Sequence, residues 1–330
     1  MRTFGVVGAT GLVGQELLRW GRRLFPAAKF VAIASARSQG KTLVIDHDSY
    51  KVENIDDVDW GLIEGVFFSA GASVSRKWVP RVVDAGCWVV DNSSAFRQHA
   101  SVPLIIPEIN GRDNLFEKHR IIANPNCSTI QMLLALNPIR DIWGIKRLTV
   151  STYQSYSGAG QRAMEGLVNN TEASLSNQNY ATNDAAFSLV PSIGKMAENG
   201  FCEEEMKMIH ETQKIWGDKS LEVEVTTVRV PTIYTHAESI CIDTHQPIDL
   251  EEVKSLFSNI SHLELCEDYP NIQDIVNTPK TAVGRLRKSL NDECRLHLWV
   301  VADNILRGAA YNALQIADKY PIINKEELKC

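Results

Sequence analysis

One stretch of this chain places a potential nucleophile at the head of an apolar, helix-forming run. Asn124-Pro125-Asn126-Cys127-Ser128-Thr129 leads directly into Ile130-Gln131-Met132-Leu133-Leu134-Ala135-Leu136. A strand-like segment, Arg120 to Ala123, comes just before it, so Cys127 falls where a strand gives way to a helix. The first turn of a helix leaves backbone N–H groups unpaired and carries partial positive charge. Both favour the thiolate, the form of cysteine that attacks carbonyls. The same N–H groups could hold the oxyanion such an attack creates. A lone cysteine is by default a small buried hydrophobe. Cys127 therefore needs a base, a hydride donor and a substrate clamp elsewhere in the chain.

A cofactor loop stands at the other end of the sequence. Gly8-Ala9-Thr10-Gly11-Leu12-Val13-Gly14 follows the first apolar strand and opens the first amphipathic helix. Glycines there let the backbone turn tightly and approach a pyrophosphate, which the helix N-terminus stabilises. The spacing is GxxGxxG rather than GxGxxG, and its place at the first strand-to-helix turn is what points to a dinucleotide. Gly8, Thr10, Gly11, Leu12 and Val13 are the expected contacts. An NAD-preferring fold puts a carboxylate at the end of the second strand. Here Ala34-Ser35-Ala36-Arg37-Ser38-Gln39-Gly40-Lys41 offers none. Arg37 and Ser38 suit a 2′-phosphate instead, since arginine grips phosphate in a two-pronged fork. NADP is the expected cofactor, with Ser69-Ala70-Gly71 closing over it from the other side.

Those motifs require a scaffold that presents strand ends. Thr3–Val7, Phe30–Ser35, Gly65–Ser69, Cys87–Asp91 and Arg120–Ala123 read as strands, with helices over Leu12–Leu24 and Ser73–Asp84. This alternation predicts βαβ units and a parallel, Rossmann-type sheet. From about residue 147 the runs lengthen and become rich in β-branched residues: Arg147–Gln154, Leu221–Val230, Ser239–His245, His262–Cys266 and Leu296–Ala302. These predict an α+β second domain with a mixed, largely antiparallel sheet. Helices are expected over Gly160–Ser174, Glu203–Trp216 and Ile305–Lys319, with a long loop over Leu175–Phe201. The expected division is 1–125 plus a C-terminal helix at about 304–330 for the cofactor domain, and 126–303 for catalysis, substrate binding and dimerisation.

Composition narrows the function class. The net charge of −6 offers no basic surface for nucleic acid or anionic lipid. No apolar run reaches the roughly 18 residues that span a bilayer, and the start shows no signal-peptide pattern. Seven cysteines, scattered and without a CxxC pair, argue against a disulfide framework or a zinc site. A reduced, cytoplasmic enzyme without a metal is expected.

Taken in order, Gly8–Gly14, Arg37-Ser38, Asp91-Asn92-Ser93-Ser94-Ala95-Phe96-Arg97 and Asn124–Thr129 resemble the aspartate-semialdehyde dehydrogenase family, bacterial branch. The resemblance continues through Tyr153-Gln154-Ser155-Tyr156-Ser157-Gly158-Ala159-Gly160, Glu204-Glu205-Met206-Lys207, Arg229-Val230-Pro231 and His236-Ala237-Glu238. It ends at Val283-Gly284-Arg285 and Trp299-Val300-Val301-Ala302-Asp303-Asn304. It implies NADPH-dependent reduction of L-aspartyl 4-phosphate to the semialdehyde with release of phosphate, reversibly. That step leads toward lysine, threonine, methionine and diaminopimelate. A homodimer is implied as well.

The resemblance assigns Cys127 as acyl carrier and His236, just past the strand carrying Arg229, as acid/base. It gives Arg229 to the substrate carboxylate, Glu205 to its ammonium, and Lys207 with Arg97 to its phosphate. Gln154 orients the substrate beside the thiol and Asn126 helps to place the acyl oxygen. Ser157, Gly158 and Asn304 match positions near the nicotinamide. The rival readings are another thiol-dependent acyl-phosphate reductase, such as N-acetyl-glutamyl-phosphate reductase or a glyceraldehyde-phosphate dehydrogenase, and a non-catalytic paralogue. A free ammonium calls for a carboxylate and an acetylated one does not, which favours the aspartyl substrate.

Overall fold

The computed structural model describes residues 2–111, 119–176 and 186–319. The chain divides into two compact units, Met1–Pro125 with Ala309–Cys330, and Asn126–Gly308.

The first unit is built on six parallel strands in the order β5-β2-β1-β6-β7-β8. They are β1 (Thr3–Val7), β2 (Lys29–Ala34), β5 (Glu53–Asn54), β6 (Gly65–Phe68), β7 (Trp88–Asp91) and β8 (Ile121–Ala123). Strand residues alternate between two apolar layers, because successive side chains point to opposite faces. Phe4, Val6 and Phe67 pack with Leu17 and Leu18 of the Leu12–Leu24 helix and with Leu314 and Ile316 near the C-terminus. Val7, Val66 and Phe68 pack with Trp78, Val79 and Val82 of the Ala72–Asp84 helix on the other face. Both faces are covered, as a parallel sheet requires. A short hairpin, β3 (Thr42–Ile45) and β4 (Asp48–Lys51), was not foreseen. Its turn carries Asp46 at φ 53°, a left-handed conformation that Asp tolerates better than most residues.

The second unit holds a six-stranded mixed sheet in the order β10-β9-β11-β14-β13-β12. These strands are β9 (Ile145–Gln154), β10 (Glu222–Arg229), β11 (His236–Thr244), β12 (Leu263–Leu265), β13 (Thr281–Lys288) and β14 (Arg295–Ala302). The central pairings are antiparallel and the two outer ones parallel. One face lies against the Cys127–Trp143 helix, whose residues Ser128 to Leu136 are all buried. At about 2 kcal/mol for each buried aliphatic side chain, this apolar run holds the helix firmly to the sheet. The expected parallel and mixed sheets are both present. β13 and the Leu250–Ser258 helix, capped by Asp249, were not foreseen.

The expected C-terminal helix is a π-helical turn over Leu306–Tyr311 followed by an α-helix over Asn312–Asp318. The expected loop over Leu175–Phe201 lies partly outside the described residues, as does the end of the 304–330 segment. Within that loop, Val190 forms an antiparallel bridge with Arg229, exchanging hydrogen bonds of 3.0 and 2.8 Å at the sheet edge.

Candidate active site

Register across the second sheet brings the main candidates into one row. Gln154 ends β9 and pairs with Arg229 at the end of β10; on its other side it pairs with His236. His236 in turn pairs with Ala302, where β14 ends. Residues directly opposite one another in a sheet project to the same face, at roughly 4.8 Å per strand. Arg229, Gln154 and His236 therefore stand side by side on the face covered by the Cys127 helix. His236 was expected just past the strand carrying Arg229; it is the first residue of the next strand, which begins three residues earlier than anticipated.

Cys127 is the first residue of its helix, capped by Asn126. The Asn126 Oδ1 accepts the backbone N–H groups of Ser128 (3.0 Å) and Thr129 (3.3 Å). Two of the helix-start donors considered for an oxyanion are thus spent on the cap. The Asn126 amide nitrogen donates to Glu204 Oε1 at 2.7 Å, and its backbone N–H donates to Glu211 Oε2 at 2.6 Å. The side chain proposed to place an acyl oxygen is therefore engaged at both ends, and what it fixes is the helix that bears the thiol. Close behind Cys127 lies Gly308, in the π-helical turn; a Cβ there would come within 2.7 Å of the Cys127 Cβ.

His236 is fully buried and tethered through Nδ1, which accepts the Ser155 backbone N–H at 3.1 Å and lies 3.1 Å from the Ser155 hydroxyl. That arrangement places the proton of the neutral ring on Nε2, which has no hydrogen-bond partner. Burial, and after it the nearby Arg229 charge, pushes the imidazole down to about 3, so the ring is neutral at ordinary pH. The tether extends from Ser155 to Ser157 (2.9 Å) and on to Asn304, whose Oδ1 accepts from both hydroxyls. This leaves the buried Asn304 Nδ2 as an unpaired donor. Arg229 donates to the Ser155 carbonyl at 2.6 Å. Burial lowers its pKa, while the charges of Cys127 and Glu204 counter that effect. Gly158 leaves room for both groups: a Cβ there would lie 2.9 Å from His236 Nε2 and 3.2 Å from Arg229 Nη1.

The acidic helix Glu203–Trp216 corrects one expectation. Both oxygens of Glu205, the carboxylate given to the substrate ammonium, accept backbone N–H groups. These come from Cys202 at 2.8 Å, closing the helix cap, and from Thr227 at 3.0 Å. Glu204 is the carboxylate turned toward Asn126 and Arg229, and Lys207 pairs with it at 2.9 Å. Spacing explains this, because residues three apart share a helix face and residues two apart do not.

Arg97 belongs to the first unit. There its Nε and Nη2 donate to the carbonyls of Asn124 (2.9 Å) and Asn92 (2.7 Å), and the side chain is buried. The same unit contains a cleft of about 720 Å³ lined by Gly8, Thr10, Gly11, Arg37, Ser38 and Ser69. That volume suits a cofactor. Gly8 adopts φ +87°, and a Cβ there would meet the Ser69 carbonyl at 2.4 Å. No side chain caps the helix behind Gly11, which leaves its N-terminus to an anion. Leu12, Val13 and Gly71 are not among the lining residues; Gly71 caps the next helix at φ 86°. Ser157, Gly158 and Asn304 belong to the second unit. Three polar residues of the cleft lie outside the expected contacts: Lys77, Asp56 and Ser73. Lys77 sits on the Ala72–Asp84 helix and reads in sequence as an ordinary solvated charge. Among the described residues no cluster of His, Cys, Asp and Glu is suited to a metal. None of their helices is long and apolar enough to cross a membrane.

Comparison with known proteins gives this geometry its context. Residues 3–117 match the family model of the semialdehyde dehydrogenase NAD binding domain, and 136–307 match the semialdehyde dehydrogenase dimerisation domain. The chain is 44% identical to the aspartate-semialdehyde dehydrogenase of Shewanella violacea, over 95% of this chain and 96% of that protein. It is 42% identical to aspartate-semialdehyde dehydrogenase 2 of Vibrio cholerae, with the same coverage. A crystal structure of aspartate semialdehyde dehydrogenase II from Vibrio cholerae, complexed with ASA, matches with a TM-score of 0.91 at 41% identity, covering 97% of this chain and 98% of that one. The chain belongs to the aspartate-semialdehyde dehydrogenase family.

Proposed function

We propose that this protein reduces L-aspartyl 4-phosphate to L-aspartate 4-semialdehyde, with NADPH as hydride source and a thioester at Cys127, reversibly. The observation that carries the reading is the row of Arg229, Gln154 and His236 on the sheet face beneath the Cys127 helix. The rival acyl-phosphate reductase and the non-catalytic paralogue are not favoured.

The chemistry follows from what each group can do. The Cys127 thiolate attacks the acyl carbon, the bond to phosphate breaks, and a thioester remains. A reduced nicotinamide bound to this protein supplies the hydride that reduces the thioester. The resulting thiohemiacetal collapses to aldehyde and returns the thiolate, so the one proton consumed ends on the released phosphate. Charge develops on the acyl oxygen in both halves, and His236 Nε2–H is the donor that can meet it there and recover its proton on collapse. Arg229 clamps the substrate carboxylate, and Gln154 beside it orients the acyl group. Glu204 takes the ammonium in place of Glu205, while Lys207 and Arg97 serve the phosphate. Asn126 positions the thiol through the helix cap. The unpaired Asn304 Nδ2, braced by Ser157, suits a nicotinamide carboxamide.

Gly8, Thr10, Gly11 and Ser69 suit the pyrophosphate, with Leu12, Val13 and Gly71 framing the loops. Two cations of the cleft, Arg37 and Lys77, with Ser38, outweigh its one carboxylate, Asp56, and support NADP over NAD. The enzyme serves amino-acid biosynthesis toward lysine, threonine, methionine and diaminopimelate, in the cytoplasm and as a homodimer. The test is phosphate- and NADP-dependent oxidation of L-aspartate semialdehyde, run beside Cys127→Ala. Wild-type activity that the variant lacks supports the reading; activity retained by the variant overturns it.

A further inference from the structure

A second buried acid stands next to the reaction machinery and has no role in the steps above. Glu238 lies two residues beyond His236 on β11, so its side chain projects to the same face, toward the Cys127 helix. It is wholly buried, and neither carboxyl oxygen has a hydrogen-bond partner. Across the sheet it pairs with Thr152, whose hydroxyl accepts from Gln154 at 3.3 Å, and with Val300. Gln131, four residues after Cys127 and on the same side of that helix, is the side chain that reaches toward it, and an amide N–H turned to a carboxylate there would lower the Glu238 pKa. The Gln131 Nε2 donates to the His236 backbone carbonyl at 3.3 Å, while its Oε1 is buried without a partner.

These orphan groups complement one another. A carboxylate here would bury a charge with no cation paired to it among the described residues, at a cost of several kcal/mol. A carboxylic acid has one O–H to donate, and the Gln131 Oε1 lacks a donor. We propose that Glu238 donates a hydrogen bond to Gln131 and that this acid–amide pair locks the Cys127 helix onto the His236 strand, making both side chains positioning residues for the thiol chemistry. The chain of contacts runs from Glu238 to Gln131 Oε1, and from Gln131 Nε2 to the His236 carbonyl. The catalytic thiol and the catalytic imidazole are thereby tied together from beneath. Burial raises the Glu238 pKa well above the ordinary carboxyl value and outweighs the opposite pull of Gln131, consistent with a retained proton.

The inference rests on Cys127 and His236 being the reacting pair. If Cys127→Ala keeps activity, that reading fails; the outcomes below concern the pair alone. Glu238→Ala and Glu238→Gln are compared with wild type for kcat, KM and the rate at which iodoacetamide alkylates Cys127. A displacement approaching 1 Å of aligned reacting groups costs about a hundredfold. Glu238→Ala is therefore expected to lose about ten- to a hundredfold in kcat, with KM for phosphate within about twofold and the alkylation rate altered. Glu238→Gln, whose amide N–H can donate in place of the acid, is expected to recover most of that loss. Infrared difference spectra of wild type against Glu238→Gln are expected to show a carboxylic-acid carbonyl band at neutral pH. Wild-type kcat in Glu238→Ala, a Glu238→Gln no better than Glu238→Ala, or only a carboxylate band would each overturn the proposal. If Glu238→Ala does not fold, Glu238→Gln and the infrared band still decide it.

Discussion

Replacing Gly158 by Ala adds one methyl group against the atoms that the mechanism depends on. The new Cβ would stand 2.9 Å from His236 Nε2, 3.1 Å from its Cε1 and 3.2 Å from Arg229 Nη1, whereas ordinary contact begins at 3.4 Å. Gly158 is not among the residues at positive φ, so alanine strains no backbone there, and the effect is confined to the site. The imidazole has little room to withdraw, being fully buried with Nδ1 held by Ser155. Relief thus requires the ring to move by about 0.5 Å, the shortfall against ordinary contact, and the methyl also covers the Nε2–H needed by the acyl oxygen. Misplacement by 1 Å costs about a hundredfold, so half that distance plus partial blocking predicts a loss of about ten- to a hundredfold in kcat. That corresponds to about 1.4–2.7 kcal/mol in the barrier. Steady-state oxidation of L-aspartate semialdehyde with saturating phosphate and NADP reads the rate, and a thermal melt checks the fold. A Gly158→Ala enzyme that melts like wild type and turns over at the wild-type rate would refute the placement of His236.

Four side chains give further tests. The unfolded chain protonates His236 near its ordinary value of 6.5 and the folded chain only near 3. Its contribution to stability is thus intact above pH 6.5 and is lost as pH falls toward 3, by up to about 1.4 kcal/mol per pH unit. Urea unfolding of wild type against His236→Asn should show that difference growing below pH 6.5; parallel curves would contradict it. Arg37→Ala should raise KM for NADP about ten- to a hundredfold, the worth of a charge-assisted hydrogen bond, and leave KM for NAD nearly unchanged. An equal effect on both cofactors would remove Arg37 from the 2′-phosphate. Glu204→Gln should raise KM for the semialdehyde about tenfold or more. Glu205→Gln should instead lower stability by about 1–2 kcal/mol, by weakening a cap and the Thr227 contact. The reverse pattern would restore Glu205 to the substrate.

The parallel sheet was legible because short apolar runs alternate with amphipathic ones, and Cys127 because a strand-like run, Arg120 to Ala123, gives way there to an apolar, helix-forming one. Other features were hidden for physical reasons. β13 runs Thr281-Ala282-Val283-Gly284-Arg285-Leu286-Arg287-Lys288, with small residues at one end and charges at the other, so no clear period of two emerges. Its register also shifts between Gly284 and Arg287, where Arg285 takes φ 49°. The Leu250–Ser258 helix did carry a signal, since Asp249 accepts from the backbone of Glu251 and Glu252. The Glu204–Lys207 spacing likewise stood in the sequence as a pair three apart. Register across the second sheet did not, because pairing of Arg229 with Gln154 and of Gln154 with His236 depends on long-range contacts that no local pattern records. The buried acid at Glu238 became visible only once burial and hydrogen bonds were known.

The central claim is that Cys127 carries the acyl group. It is tested most directly by mixing the enzyme with L-aspartyl 4-phosphate in the absence of nicotinamide, then measuring phosphate release and the mass of the Cys127 peptide. A burst of about one phosphate per active site, with the aspartyl group recovered on the Cys127 peptide and both lost in Cys127→Ala, is the predicted result. Phosphate release without an adduct on that peptide, or an adduct on another residue, would contradict the account.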